Sequence, residues 1–211
     1  MSKTVLTLLI FSTLLLAACG GAKGTPGTQP PAESGNLTQL NDLNLRENHL
    51  EALPPEIGKL ILLTGLDLSE NNLSVLPPEI GELTSLSYLH ATGNNLSSIP
   101  QGIGNLTSLT ELYLDGNNLG DLPPEIGKLV DLNLLFLNDN SLSELPPEIG
   151  NLTDLILLYL SKNNLSSLPP ETSNLVNLSE LWLDGNPITS LPPEVCANLS
   201  GLVFPDSLCQ T

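Results

Sequence analysis

The chain has 211 residues, room for one domain of ordinary size with short extras. Six Lys and Arg against 23 Asp and Glu give a formal net charge of -17. That balance argues against nucleic acid, whose phosphates need a basic face, and against attraction of the protein body to an anionic membrane surface. Acidity on this scale keeps monomers dispersed and can steer a basic partner. Hydrophobic residues make up 40% of the chain but aromatics only 3%, and its 51 leucines are a bias that asks for a repetitive explanation.

The chain opens with Lys3, an apolar stretch from Val5 to Leu16, and the small residues Ala17 and Ala18 before Cys19. Residues 1–18 therefore read as a secretory signal peptide, too short for a membrane span and excluded from the fold. Leu16-Ala17-Ala18-Cys19 resembles the lipobox of bacterial lipoproteins. The resemblance implies that Cys19 becomes the N-terminal residue and carries acyl chains such as palmitate. Each buried CH2 would add about 0.8 kcal/mol to anchoring. An ordinary secretory signal with an incidental cysteine is the alternative. Gly20, by resemblance to lipoprotein sorting, leans toward the outer membrane of a bacterial cell envelope, on its periplasmic or its surface side. Contact with the membrane would then run through the lipid only. Residues 19–35 comprise this cysteine and a Gly/Pro/Ser/Thr linker without apolar periodicity, suited to holding a domain off the membrane.

From Leu40 the sequence repeats every 23 residues, with units opening at Leu40, Leu63, Leu86, Leu109, Leu132, Leu155 and Leu178. The fourth position is always leucine, the sixth is leucine or Ala91, and the ninth is Asn48, Asn71, Asn94, Asn117, Asn140, Asn163 or Asn186. This pattern, L-x-x-L-x-L-x-x-N-x-L, resembles the leucine-rich repeat family over seven units within residues 36–200, with 201–211 as a C-terminal cap. The resemblance implies a β-rich α/β solenoid, an arc with a parallel sheet on its concave face. The residues agree: Leu-x-Leu alternates as a strand with one apolar face, and units that cannot bury that face alone must stack. The asparagine can donate and accept at once, so it is expected to satisfy backbone groups as a ladder from unit to unit.

Four of the units continue as Leu-Pro-Pro-Glu-Ile-Gly-x-Leu, at 53–60, 76–83, 122–129 and 145–152. Two prolines favour an extended path, and the rest allows a short 3-10 or helical turn on the convex side. Ile57, Ile80, Ile103, Ile126, Ile149 and Val195 should plug the core from there, and Thr172-Ser173 in the sixth unit marks an expected weak point.

If the leucines point inward, the residues between them point outward. The central outward column reads Asn44, Asp67, His90, Tyr113, Phe136, Tyr159, Trp182. Two residues earlier lie Tyr88, Glu111, Leu134, Leu157 and Glu180, and two later Asp115 and Asp184. Of the seven aromatics, only Phe11 and Phe204 fall elsewhere. An outward aromatic strip rimmed by carboxylates has the composition of a binding surface, and these twelve residues from Tyr88 to Asp184 are the candidate ligand-binding set. Cross-strand packing of the rings is the alternative. The expected function is a membrane-anchored module that binds a protein with a basic surface; the alternatives are a glycan or small molecule stacked on the strip, or a structural envelope lipoprotein.

No catalytic set is expected. Only His49 and His90 could serve as a base, and no phosphate loop, metal spacing or cofactor motif stands out. Cys196 and Cys209 flank the point where the repeat breaks down. A disulfide closing the cap is expected in an envelope compartment, two buried thiols being the alternative.

Overall fold

A computed structural model describes residues 39–199 and 202–209; Cys19, the signal peptide and the linker lie outside the described residues. The leucine alternation produces short strands: β1 (Asp42–Asn44), β2 (Gly65–Asp67), β3 (Tyr88–His90), β4 (Glu111–Tyr113), β5 (Leu134–Phe136), β6 (Leu157–Tyr159) and β7 (Glu180–Trp182). They pair in parallel and in chain order, with Leu43, Leu66, Leu89, Leu112, Leu135, Leu158 and Leu181 in one register line. An eighth strand, β8 (Val203–Phe204), extends the sheet and pairs Leu181 with Val203 and Trp182 with Phe204. That step is 22 residues rather than 23, which is why a fixed period assigns residues 201–211 to a cap alone.

The proline pairs set the opposite wall. Pro54 is extended (φ -72, ψ 151) and leads into a 3-10 turn at Pro55–Lys59, closed by Leu60 N–H donating to Ile57 O. Five further turns repeat this at Pro78–Glu82, Gln101–Asn105, Pro124–Lys128, Pro147–Asn151 and Pro170–Asn174. The seventh unit instead forms an α-helix, α1 (Pro193–Leu199). Between sheet and turns the leucines and the plugging Ile57, Ile80, Ile103, Ile126, Ile149 and Val195 are wholly shielded from solvent or nearly so. Each unit thus buries its apolar face only against its neighbours.

The convex glycine exists because the next turn passes close. A Cβ on Gly58 would lie 2.8 Å from Glu79 O, and one on Gly104 2.7 Å from Glu125 O. The sixth unit carries Ser173 there, and its neighbour is α1, with Asn198 Nδ2 donating to Ser173 O at 3.2 Å. The preceding Thr172 takes the isoleucine position fully buried, and its hydroxyl has no hydrogen-bond partner.

The asparagines close the other corner. Asn94 Nδ2 donates to Ala91 O in its own unit (3.1 Å) and to Leu68 O in the preceding one (3.0 Å), while its Oδ1 accepts from Leu73 N–H (3.0 Å). Asn71, Asn117, Asn140 and Asn163 repeat the arrangement, and Asn186 does so at the far end. Asn48 bonds only within its own unit among the described residues. At the C-terminal end Cys196 and Cys209 are joined by a disulfide with their Cα atoms 5.3 Å apart, tying α1 to the last turn.

Two substitutions test this packing in opposite directions. Leu112→Ala, at a wholly buried position, should cost about 2–5 kcal/mol in chemical denaturation. Thr172→Ile should raise stability by about 1–3 kcal/mol, because it removes an orphaned buried hydroxyl and restores the plug used by the other turns.

Candidate functional site

Because each strand alternates, β3 to β6 bury their central leucine and leave both neighbours half-exposed. The outward residues of successive strands are therefore one strand spacing apart, about 4.8 Å. Flat rings at that spacing can stack, and they do. His90 and Tyr113 lie 4.2 Å apart at 10°, Tyr113 and Phe136 4.5 Å at 14°, Phe136 and Tyr159 4.6 Å at 4°. The column changes at both ends. Tyr88 meets His90 tilted at 4.9 Å, and Tyr159 meets Trp182 edge-to-face at 5.9 Å and 63°.

All five outward aromatics and His90 thus join one ribbon. The ring faces in its middle are occupied by one another, so its solvent side consists of ring edges and the Tyr113 and Tyr159 hydroxyls. Leu134 and Leu157, both half-buried, run alongside from the preceding outward position. Tyr88 departs from the simple column. Its ring lies over Gly65, where any Cβ would collide with it, and its hydroxyl donates to Asp42 two strands away. This closes the N-terminal end of the ribbon onto β1.

The carboxylates hold the ring edges. Glu180 Oε2 accepts from Tyr159 OH (2.7 Å) and Trp182 Nε1 (2.8 Å), and these bonds hold its carboxyl below the usual range. The bond to Glu180 is the largest cause raising the Tyr159 phenol. Burial, then Glu111, raises Tyr113. Burial and the bond to Asp42 push Tyr88 up to about 12. His90 Nε2 lies 3.5 Å from Glu111 Oε2, within ion-pair reach but without a hydrogen bond.

A second, polar column runs beside the rings. Asp115 Oδ1 accepts from Asn138 N–H (3.0 Å) and Asn138 Nδ2 (2.8 Å), Asn138 Oδ1 accepts from Ser161 N–H (2.8 Å), and Ser161 Oγ donates to Asp184. Burial raises the Asp115 carboxyl against the pull of those bonds, so Asp115 braces this column more than it faces solvent. At its far end a pocket of about 350 Å³ opens beside Tyr159 and Trp182. Two of its walls, Asp139 and Lys162, are not among the residues anticipated from the sequence, because they occupy the eighth position of the repeat and not the strand. The position is left-handed in every unit, held by Gly93, Gly116 and Gly185 in three and by Glu47, Glu70, Asp139 and Lys162 in four (φ 53 and 55 at Asp139 and Lys162). His49 lies on the exposed turn and joins nothing in the strip. Among the described residues no cluster of His, Cys, Asp and Glu could hold a metal.

A parallel sheet of stacked 23-residue units, sealed by an asparagine ladder and backed by 3-10 turns, defines a leucine-rich repeat solenoid. The chain belongs to the leucine-rich repeat family: a leucine-rich repeat region matches residues 14–118, a leucine rich repeat 107–165, and a two-copy leucine rich repeat 153–194. No curated protein matches the chain in sequence. Among solved structures it is similar to a leucine-rich repeat protein of Leptospira interrogans, 36% identical, TM-score 0.59, over 85% of this chain and 50% of that one. It is also similar to the ectodomain of the Arabidopsis thaliana receptor kinase GASSHO1/SCHENGEN3 in complex with CASPARIAN STRIP INTEGRITY FACTOR 2, 40% identical, TM-score 0.69, over 80% of this chain and 21% of that one. A third is the plant peptide hormone receptor RGFR1 in complex with RGF2, 32% identical, TM-score 0.58, over 76% and 31%. The chain spans between 21% and 50% of the length of these proteins.

The raised phenols give a prediction. Well below pH 10, the ordinary phenol value, all three tyrosines are protonated in folded and unfolded chain alike, and their full contribution to stability is present. Above it the unfolded chain ionises first, so stability should fall as pH rises from 10 toward about 12, the value for Tyr88. Phenolate absorbance of the folded protein should titrate above that of the urea-unfolded protein, and Tyr88→Phe should remove the latest component.

Proposed function

We propose that the protein is a binding module, not a catalyst, and that it takes an extended segment of a partner protein along the outward face of its sheet. The observation that carries this reading is the continuous ribbon from Tyr88 to Trp182, which gathers five of the chain's seven aromatics on one face. Stacking accounts for the ring faces. It leaves a ridge of ring edges and phenol hydroxyls flanked by Leu134 and Leu157, with Glu111 and Glu180 at its rim. Amphipathic aromatic anchors beside charged rims are what protein interfaces use. Two structures of similar fold, the GASSHO1/SCHENGEN3 ectodomain with CASPARIAN STRIP INTEGRITY FACTOR 2 and the peptide hormone receptor RGFR1 with RGF2, are complexes, which supports a protein ligand. Stacking of sugar rings has less to work with, because Tyr113, Phe136 and Tyr159 spend their faces on one another. The excess of acid over base favours a partner segment that is basic.

In this reading Cys19 carries the lipid that tethers a monomeric domain to a bacterial envelope membrane, outer membrane favoured, with residues 20–35 as the spacer. Cys19→Ala should move the protein from the detergent phase to the aqueous phase in phase partition and abolish incorporation of labelled palmitate. Retention of either property would remove the anchor from the proposal.

The binding face is tested by selecting displayed random peptides on the folded domain. Tyr113→Ala/Tyr159→Ala/Trp182→Ala should weaken the selected peptides by about 2 kcal/mol or more, roughly 30-fold. Undiminished binding by a variant that still unfolds cooperatively would place the ligand on another surface.

A further inference from the structure

The C-terminal end of the ribbon differs from its middle. Where Phe136 and Tyr159 stack flat, Tyr159 and Trp182 meet edge-to-face, and Trp182 is 38% exposed. Beside this break lies the pocket of about 350 Å³, walled by Tyr159, Trp182, Ser161, Asp184, Asp139 and Lys162. Its charges are Asp139 and Asp184 against Lys162, one negative charge in surplus, and Glu180 at the edges of both rings makes it two. The one ammonium in the wall is already matched, with Lys162 Nζ 3.1 Å from Asp139 Oδ1. Asp184 is exposed and engages Ser161 through Oδ1.

An anion entering here would meet net negative charge, and a neutral group would leave that charge unused. A cation is favoured by the carboxylates and by the aromatic rings together. Between the two side-chain cations, guanidinium fits better: it is planar, weakly hydrated, lies on an aromatic face and presents a fork to a carboxylate, whereas ammonium holds its water and offers no plane.

We propose that this pocket is a subsite for an arginine side chain of the bound segment. The proposal rests on the reading that the aromatic face takes a protein segment, and it adds the residue that segment must carry.

Trp182 is the only tryptophan in the chain, so its fluorescence reads the pocket directly. The probe is Ac-Gly-Arg-Gly-NH2, titrated at constant ionic strength against the same tripeptide with citrulline, which keeps the shape without the charge. The arginine peptide should give a saturable change with a dissociation constant on the order of millimolar. Citrulline, and Asp184→Asn with the arginine peptide, should each weaken it at least tenfold, while Lys162→Gln should tighten it. No saturable change, equal response to citrulline, or undiminished binding by Asp184→Asn would overturn the subsite. The wider reading fails separately. Displayed peptides that lose binding on Tyr113→Ala/Phe136→Ala but show no arginine preference would sink the subsite alone. Failure to select any peptide would count against the aromatic face, while the tripeptide titration still decides the pocket.

Discussion

The side-chain amide of one asparagine per unit is the contact on which the rest depends. Where the chain leaves each strand, backbone groups are turned into the core, where water cannot reach them. Asn117 illustrates the solution: its Nδ2 donates to Leu114 O and, across the unit boundary, to Ala91 O, and its Oδ1 accepts from Leu96 N–H. An aspartate could not donate and a leucine could do neither. Because one amide serves two units at once, it fixes their register as well as satisfying them, and the strands have no freedom to slip. That fixed register is what brings outward side chains of successive units to within ring-stacking distance.

Stacking and the proposed binding draw on the same rings. In the middle of the ribbon the faces are consumed by cross-strand packing, worth about 0.5–1.5 kcal/mol per pair beyond area burial. This is a rigid edge, its side chains already ordered, so a partner does not have to immobilise them. At the two ends the stacking gives way. Tyr88 bends over Gly65 to Asp42 and closes the ribbon, while Trp182 turns and leaves a pocket. In the proposed reading the specific chemistry sits at the C-terminal end, and the middle supplies a uniform ridge.

Most of the architecture was legible in the sequence, because a strict 23-residue period carries strand, turn and ladder at fixed offsets. The inward and outward sets, short 3-10 or helical turns after the prolines and the buried isoleucines follow from alternation and proline geometry alone. What was not legible follows from features outside that period. The eighth strand is reached by a 22-residue step through α1, so it falls out of register with any fixed repeat. The lean of Tyr88 depends on the absence of a side chain at Gly65 one strand away, a relation between units that no single unit displays. The polar column from Asp115 to Asp184 joins residues 23 apart through hydroxyl and amide orientations, and Asp139 and Lys162 enter the pocket from a turn position that strand periodicity ignores.

The register claim is tested most directly by comparing two members of the ladder. Asn117→Ala strands the buried Leu96 N–H and takes one of two asparagine donors from each of Leu114 O and Ala91 O, which keep Asn140 and Asn94, whereas Asn48→Ala breaks bonds only within its own unit among the described residues. Chemical denaturation should show a loss of about 3 kcal/mol or more for Asn117→Ala and distinctly less for Asn48→Ala. Hydrogen exchange at the Leu96 amide should accelerate only in the former. Equal losses for the two variants, with Leu96 still protected in Asn117→Ala, would contradict the account.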